Sequence, residues 1–121
     1  MGRLIEGVLD ISAEMKLQWQ IQQFGSDLHI TISGGKEHIG SVSIVSPESE
    51  NNWRRPGHKE YVITEDIRKR LVLQLPNRVI VISAGIHFDD MLKKDIEKVI
   101  SITGQWADTI PQILERENWN D

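Results

Sequence analysis

Three short segments of the chain each place a histidine close to a glycine. They are His38-Ile39-Gly40, Gly57-His58-Lys59 and Gly85-Ile86-His87, and they lie far apart in sequence. A neutral imidazole can bind a metal, form hydrogen bonds or carry a proton, and glycine lets a backbone approach a ligand closely. We therefore predict that the fold brings the three histidine side chains within ~10 Å of a common point, the span of a small-ligand pocket.

Two other interpretations of the same histidines stay open. His38, His58 and His87 could bind a divalent metal through neutral ring nitrogens, with water in the open position. They could also be unrelated residues in three loops. Their spacing is not that of a local metal-binding motif, so the sequence alone does not decide between these alternatives.

A group of cationic side chains offers a second kind of chemistry. Together with the backbone N–H groups of the nearby glycines, these side chains could hold a phosphate or a carboxylate. Trp53 could supply an aromatic face for a planar ring. The alternative is a solvated loop without a ligand. The cationic candidates are Lys36, Arg54, Arg55, His58 and Lys59.

Composition and missing motifs exclude several classes of protein. A chain of 121 residues predicts a single domain spanning residues 1–121. The absence of cysteine excludes disulfides, thiolate metal sites and a cysteine nucleophile. Dinucleotide, P-loop and serine-hydrolase motifs are also missing, so we expect no catalytic residues in this chain.

Charge and hydropathy bear on partners and location. The net charge of −4 argues against a nucleic-acid partner. No apolar run approaches the ~18 residues of a membrane span, and the N-terminus lacks the apolar region of a signal peptide. We therefore expect a cytoplasmic protein with neither a nucleic-acid nor a membrane partner.

Alternating apolar and polar residues predict the first strands. Residues 17–22 and 28–33 form a hairpin across Gly25-Ser26-Asp27, with His29 on the solvent-facing side. A third strand follows at 39–45. Within the N-terminal segment 1–16, the apolar residues among 4–11 predict an extra edge strand, although Gly7 and Asp10 are unfavourable in strands.

The next stretch combines a long loop with the first helix. Residues 46–59 are polar and rich in proline and asparagine, so they predict a long loop that is either functional or disordered. Thr64 is the expected N-cap, with Glu65 and Asp66 in the first turn of the helix. Pro76 ends this helix, and the run Arg68-Lys69-Arg70 is expected on its solvated face.

The remainder predicts one strand and two further helices. Residues 79–82 are continuously β-branched, which indicates a central strand buried on both faces, and residues 83–88 continue it into a bulge. Asp89 or Asp90 caps a helix that Thr103-Gly104 interrupts. Pro111 kinks the last helix or marks a second start, and residues 115–121 form a polar tail around Trp119. The apolar helical positions are Leu92, Ile96, Val99, Ile100, Trp106, Ile110, Ile113 and Leu114.

This order of elements predicts an α/β protein. We expect a two-layer sandwich in which helices cover a mainly antiparallel sheet.

Between Leu17 and Leu114 the chain resembles a known family. The segments that carry the resemblance are Gly34-Gly35-x-x-His38-Ile39-Gly40, Gly57-His58-Lys59-Glu60 before a basic helix, and Ala84-Gly85-Ile86-His87. They resemble the small third (D-type) subunit of bacterial non-oxidative hydroxyarylic acid decarboxylases, such as gallate and hydroxybenzoate decarboxylases, whose domain is described as prenylated-flavin chaperone-like.

The resemblance implies a fold, a partner and a role. The fold would be akin to that of proteasome-assembly chaperones. The protein would be a non-catalytic accessory or assembly subunit that binds the large decarboxylase subunit or handles its cofactor, with prenylated FMN or FMN held only in transit. A homo-oligomer is also expected. Two alternative functions stay open: a small metal-binding protein or enzyme that uses the three histidines, and a purely structural subunit that oligomerises. The positions that match the family are His38, Gly40, His58, Lys59, Gly85 and His87.

Overall fold

The computed structural model describes residues 3–119, with only the backbone of Glu50. This part of the chain forms a mixed α/β fold with one six-stranded sheet. The strands are β1 (Leu4–Asp10), β2 (Lys16–Phe24), β3 (Asp27–Gly35), β4 (Ser41–Val45), β5 (Glu50–Arg54) and β6 (Ile80–His87). The helices are α1 (Tyr61–Gln74), α2 (Lys93–Ala107) and α3 (Ile110–Arg116).

The sheet has the strand order β1-β2-β3-β6-β4-β5. The β3–β6 pair at its centre is parallel, and the other pairings in the described residues are antiparallel. The predicted hairpin between β2 and β3 is confirmed, and so is the edge strand β1. Because β6 lies between β3 and β4, its C-terminal end meets the segments that leave β3 and enter β4.

One face of the sheet is covered and the other is open. Alternate strand residues such as Leu17, Ile30 and Ile82 are buried in a core shared with all three helices. Helix α1 packs against β4, β5 and β6, and α2 packs against α1. His29 lies on the opposite, open face, as predicted, with Nε2 3.4 Å from Ser83 Oγ.

Two strand predictions need correction. The predicted loop 46–59 contains β5, which pairs with β4 so that Trp53 lies opposite Val42; backbone pairing outweighs the poor strand propensity of its asparagines. Strand β6 is buried on one face only, since Val81 and Ser83 on the open face are half-buried. It also runs in unbroken register with β3 to His87, where a bulge was predicted.

Helix α1 begins earlier than predicted. Its N-cap is Glu60, so Thr64 lies inside the helix instead of capping it. The Thr64 hydroxyl is buried against the sheet, 2.9 Å from Ser41 Oγ and 3.0 Å from Ser43 Oγ, which donates to it. Arg68 is buried as well, so the basic run does not lie wholly on a solvated face.

The boundary between α2 and α3 lies at residues 108–109, later in the chain than the predicted break at Thr103-Gly104. Helix α2 has its N-cap at Leu92, whose N–H donates to Asp95 Oδ2, so neither Asp89 nor Asp90 caps it. The helix continues through Thr103-Gly104, and there the Thr103 hydroxyl donates to Val99 O at 2.8 Å. Trp106 therefore belongs to α2. Helix α3 starts after Thr109 with Pro111 in its first turn.

The predicted polar tail packs against the hydrophobic core as far as Trp119. The Trp119 side chain is 1% exposed, and its carbonyl accepts a hydrogen bond from Arg78 Nη2 at 2.9 Å. Residues 120 and 121, the end of the predicted tail, lie outside the described residues, as do residues 1 and 2 of the N-terminal segment. Among the described helices, none has the length and apolarity needed to cross a membrane.

Candidate functional site

Backbone hydrogen bonds fasten the segment 36–40 to the end of β6. Lys36 N–H donates to His87 O at 3.0 Å, and Gly40 N–H donates to Ala84 O at 2.8 Å. The turn that carries His38 therefore runs beside the turn that carries His87. This contact depends on β3 and β6 being parallel neighbours, because Gly35 at the end of β3 then pairs with His87 at the end of β6.

Arg55 fastens the third histidine segment to the same place. Its N–H donates to Gly40 O, and its Nε donates to Ile39 O, both at 2.9 Å. The carbonyl of Arg55 in turn accepts from His58 N–H at 3.0 Å. Hydrogen bonds within the protein thus join three segments that are distant in sequence, and no ligand is needed to bring them together.

The three histidines share one surface cavity of about 230 Å³. The rings of His38 and His58 have their centroids 5.1 Å apart. His87 lies at a more open position: its side chain is 54% exposed, and Nε2 is 3.4 Å from Asp89 Oδ1. The lining residues are Lys36, Glu37, His38, His58 and His87. The predicted clustering of the histidines is therefore present, whereas their role as cofactor ligands stays a prediction.

Glu60 is the site residue that sequence reasoning missed. It is the N-cap residue of α1 and is only 7% exposed. One carboxylate oxygen, Oε2, lies 2.5 Å from His38 Nε2, and the other, Oε1, lies 3.5 Å from His58 Nδ1. A glutamate directly after the Gly57-His58-Lys59 segment was the available signal, but the buried position of its side chain depends on where α1 begins.

The hydrogen bonds of His38 define its tautomer. Its Nδ1 lies 3.0 Å from the carbonyl oxygen of Lys36. A carbonyl oxygen only accepts, so Nδ1 must carry a hydrogen. In the neutral ring Nε2 then has a free lone pair, and this lone pair faces the Glu60 carboxylate.

Two matched glycines make room for this arrangement. A Cβ atom on residue 40 would overlap the carboxylate of Glu60, and a Cβ atom on residue 85 would overlap the carbonyl oxygen of His38. Gly40 and Gly85 therefore allow the close approach of protein groups that build the site.

The arginines proposed from sequence as anion ligands are engaged elsewhere. Arg54 forms an ion pair with Glu65 at 3.2 Å and lies 3.7 Å above the ring of Tyr61. Arg55 holds the backbone of residues 39 and 40. Trp53 is 48% exposed on the open face of the sheet and does not line the histidine cavity. Of the cationic candidates, Lys36 and His58 line it.

Glu60, whose carboxylate contacts His38 and His58, also lines a second cavity. This cavity measures about 170 Å³ and lies among α1, α2 and the end of β6. Apart from Lys59 and Glu60, its lining is apolar: Val62, Ile63, Ile86, Met91, Ile96, Val99 and Ile100. Leu92 and Ile96, two of the apolar positions with helical spacing, are exposed, and Ile96 lines this cavity.

A solved structure shares this fold. The chain is similar to a protein described as a novel chaperone complex for yeast 20S proteasome assembly, with a TM-score of 0.56 and 10% sequence identity over 92% of this chain and 96% of that chain. At this identity the similarity concerns the fold alone. A search of curated proteins gave no match.

Sequence comparison connects the site to a family. Residues 12–115 match the prenylated flavin chaperone LpdD-like domain, a range that includes all three histidine segments and Glu60. The resemblance noted from the sequence is therefore confirmed, and the chain belongs to the family of prenylated flavin chaperone LpdD-like domains.

Proposed function

We propose that this protein is a non-catalytic accessory subunit of a prenylated-FMN-dependent hydroxyarylic acid decarboxylase. It holds the cofactor in transit and delivers it to the large catalytic subunit. Family membership supports an accessory role for a prenylated-FMN enzyme. The observation that carries the proposal for this chain is that Glu60, which lines an apolar cavity, contacts two of the histidines that line a polar cavity.

A prenylated flavin nucleotide likewise has a charged part, its phosphate, and an apolar part, its added hydrocarbon. Its phosphate suits a cavity lined by Lys36 and three imidazoles beside Glu37, because charge-assisted hydrogen bonds from these cationic groups to phosphate are strong. Its added hydrocarbon suits an apolar cavity, since burying apolar surface stabilises a complex by about 25 cal/mol per Å². Under this proposal His38, His58, Lys59 and His87 contact the cofactor.

The two glycines matched to the family have a supporting role in this proposal. Because they lack a Cβ atom, Gly40 and Gly85 leave the space that the Glu60 carboxylate and the His38 carbonyl oxygen occupy. The sequence prediction placed both glycines at the cofactor, so a contact from the backbone of either one belongs to the same proposal.

Delivery of the cofactor to the large subunit can be tested directly. The large subunit is expressed with the cofactor-forming enzyme, with or without this protein, and its prenylated-FMN content and decarboxylase activity are measured. We expect both to rise with the wild-type protein and to fall back with H58A. Equal cofactor content in all preparations would contradict the proposal, and decarboxylation by this chain alone would contradict the non-catalytic part.

Self-association is a further part of the proposal. At one edge of the sheet, β1 and β2 carry three large apolar side chains on the open face that are about half exposed, namely Leu4, Val8 and Phe24. Exposed apolar patches on a protein surface mark interaction sites. Light scattering of the purified chain tests this part: a homo-oligomer is expected, and a monomer at all concentrations would contradict it.

A further inference from the structure

The contact between His38 and Glu60 needs a positive charge between its two atoms. The tautomer fixed by Lys36 O leaves a lone pair on His38 Nε2, and this atom lies 2.5 Å from a carboxylate oxygen. Two acceptors at that separation repel each other unless a cation joins them. The cation is either a proton, which makes an imidazolium–carboxylate pair, or a metal ion.

We propose that His38, His58 and Glu60 bind one divalent transition-metal ion. The donor atoms of these three residues all lie within 4.8 Å of one another. Tetrahedral ligands about 2.1 Å from an ion lie about 3.4 Å from one another, so side-chain rotations must separate His38 Nε2 from Glu60 Oε2 by about 1 Å and bring the wider pairs closer. Two imidazoles and one carboxylate are a donor set that zinc accepts in sites with an open position.

The surroundings of the three ligands have the features of a metal site. Metal-binding histidines usually donate their second ring N–H to a backbone carbonyl or a carboxylate, which orients the ring; His38 does so to Lys36 O. The carboxylate is buried, but His38 and His58 also line the 230 Å³ cavity. That cavity gives an ion a path from solvent and leaves an open position for water or an anionic oxygen.

This ligand set differs from the three-histidine set suggested by the sequence. Glu60 takes the place of His87, whose ring is largely exposed and lies next to Asp89. The proposal does not depend on the role in flavin delivery, because the ion would be bound by the chain alone. Metal and flavin binding can therefore succeed or fail separately.

The experiment is a titration of the untagged, chelator-treated chain with Co²⁺ and Zn²⁺. We expect one ion per chain, with the visible absorption that Co²⁺ shows in a nitrogen- and oxygen-ligated site, and displacement of Co²⁺ by Zn²⁺. H58Q and E60Q should each lower the affinity by at least tenfold, since loss of even an outer partner of a ligand costs 10–100-fold. H29Q, which changes a histidine on the open face, is the matched control and should leave the affinity within twofold.

Three results would overturn the proposal. They are no binding by the wild-type chain, equal affinity in H58Q and wild type, or a loss in H87Q as large as that in H58Q, which would assign the histidine-only set. If the variants do not fold, as judged by circular dichroism, X-ray absorption of the zinc-loaded wild-type chain decides. Two imidazole ligands at about 2.0–2.1 Å support the site, and fewer than two refute it.

Discussion

Gly40 and Glu60 are in such close contact that a methyl group at position 40 would occupy the space of the Glu60 carboxylate. Gly40 lies just before β4, and Glu60 is the N-cap residue of α1. The contact therefore joins the start of a strand to the start of the helix that covers it. It also sets the position of the carboxylate relative to His38.

We expect G40A to displace the Glu60 side chain and to destabilise the fold. Inserting a methyl group into a closely packed region typically costs about 1–3 kcal/mol. The free energy of unfolding from urea titration measures this cost.

The matched control for G40A is the double variant G40A/E60A. Without the carboxylate there is no overlap at position 40. The loss in free energy of unfolding caused by G40A should therefore be smaller in the E60A chain than in the wild-type chain, by about 1 kcal/mol or more. Couplings of about 0.5–3 kcal/mol are usual for residues in contact. Strict additivity of G40A and E60A would show that the two residues do not interact.

A second prediction concerns the buried hydroxyl group of Thr64. In T64V the side chain keeps its shape, but the buried hydroxyls of Ser41 and Ser43 lose the oxygen next to them. We expect a loss of about 1–3 kcal/mol, the cost of leaving a buried polar group unsatisfied. T31V, on the open face of the same sheet, should change stability by no more than about 0.5 kcal/mol. Similar urea midpoints for the two variants would contradict the role given to Thr64.

A third prediction concerns the anchoring of the C-terminal segment. W119A should destabilise the fold by about 3–5 kcal/mol, as expected for truncation of a buried tryptophan. The control W53A removes a half-exposed tryptophan and should cost only about 0.5 kcal/mol. Thermal unfolding of both variants measures the difference, and an unchanged melting temperature for W119A would mean that residues after α3 do not stabilise the core.

The sequence predicted the repetitive elements well, for a physical reason. Alternation in residues 17–22 and 28–33 marks strands that bury one face, and β2 and β3 lie there. The β-branched run at 79–82 correctly predicted the strand β6, but its predicted burial on both faces was wrong. The sequence prediction failed for β5, because residues 50–54 have neither apolar alternation nor high strand propensity, although they pair with β4 as a hairpin.

The errors at the helix starts have a related origin. Thr64 and Asp89 have side chains typical of N-caps, yet a tertiary contact places Thr64 against the sheet. Helix α2 starts at Leu92, where the local hydrogen bond from Leu92 N–H to Asp95 forms. For the candidate site, histidine–glycine pairs were enough to predict which segments meet. Glu60 could not be predicted, because its burial requires α1 to begin beside Gly40.

A fourth prediction tests the functional role of the exposed histidine. H87A should leave the free energy of unfolding within about 0.5 kcal/mol, because the side chain is largely exposed. It should nevertheless lower the prenylated-FMN content of the co-expressed large subunit. Destabilisation by H87A together with unchanged cofactor content would show that His87 supports the structure and does not contact the cofactor.

The most direct test of the central claim is equilibrium dialysis of the purified chain against prenylated FMN and, separately, against FMN. Tenfold tighter binding corresponds to about 1.4 kcal/mol, which burial of about two methylene groups supplies, fewer carbons than a prenyl group contains. We therefore predict at least tenfold tighter binding of prenylated FMN, and weaker binding of both nucleotides by H58A. Equal affinity for the two nucleotides, or no binding of prenylated FMN, would contradict the account.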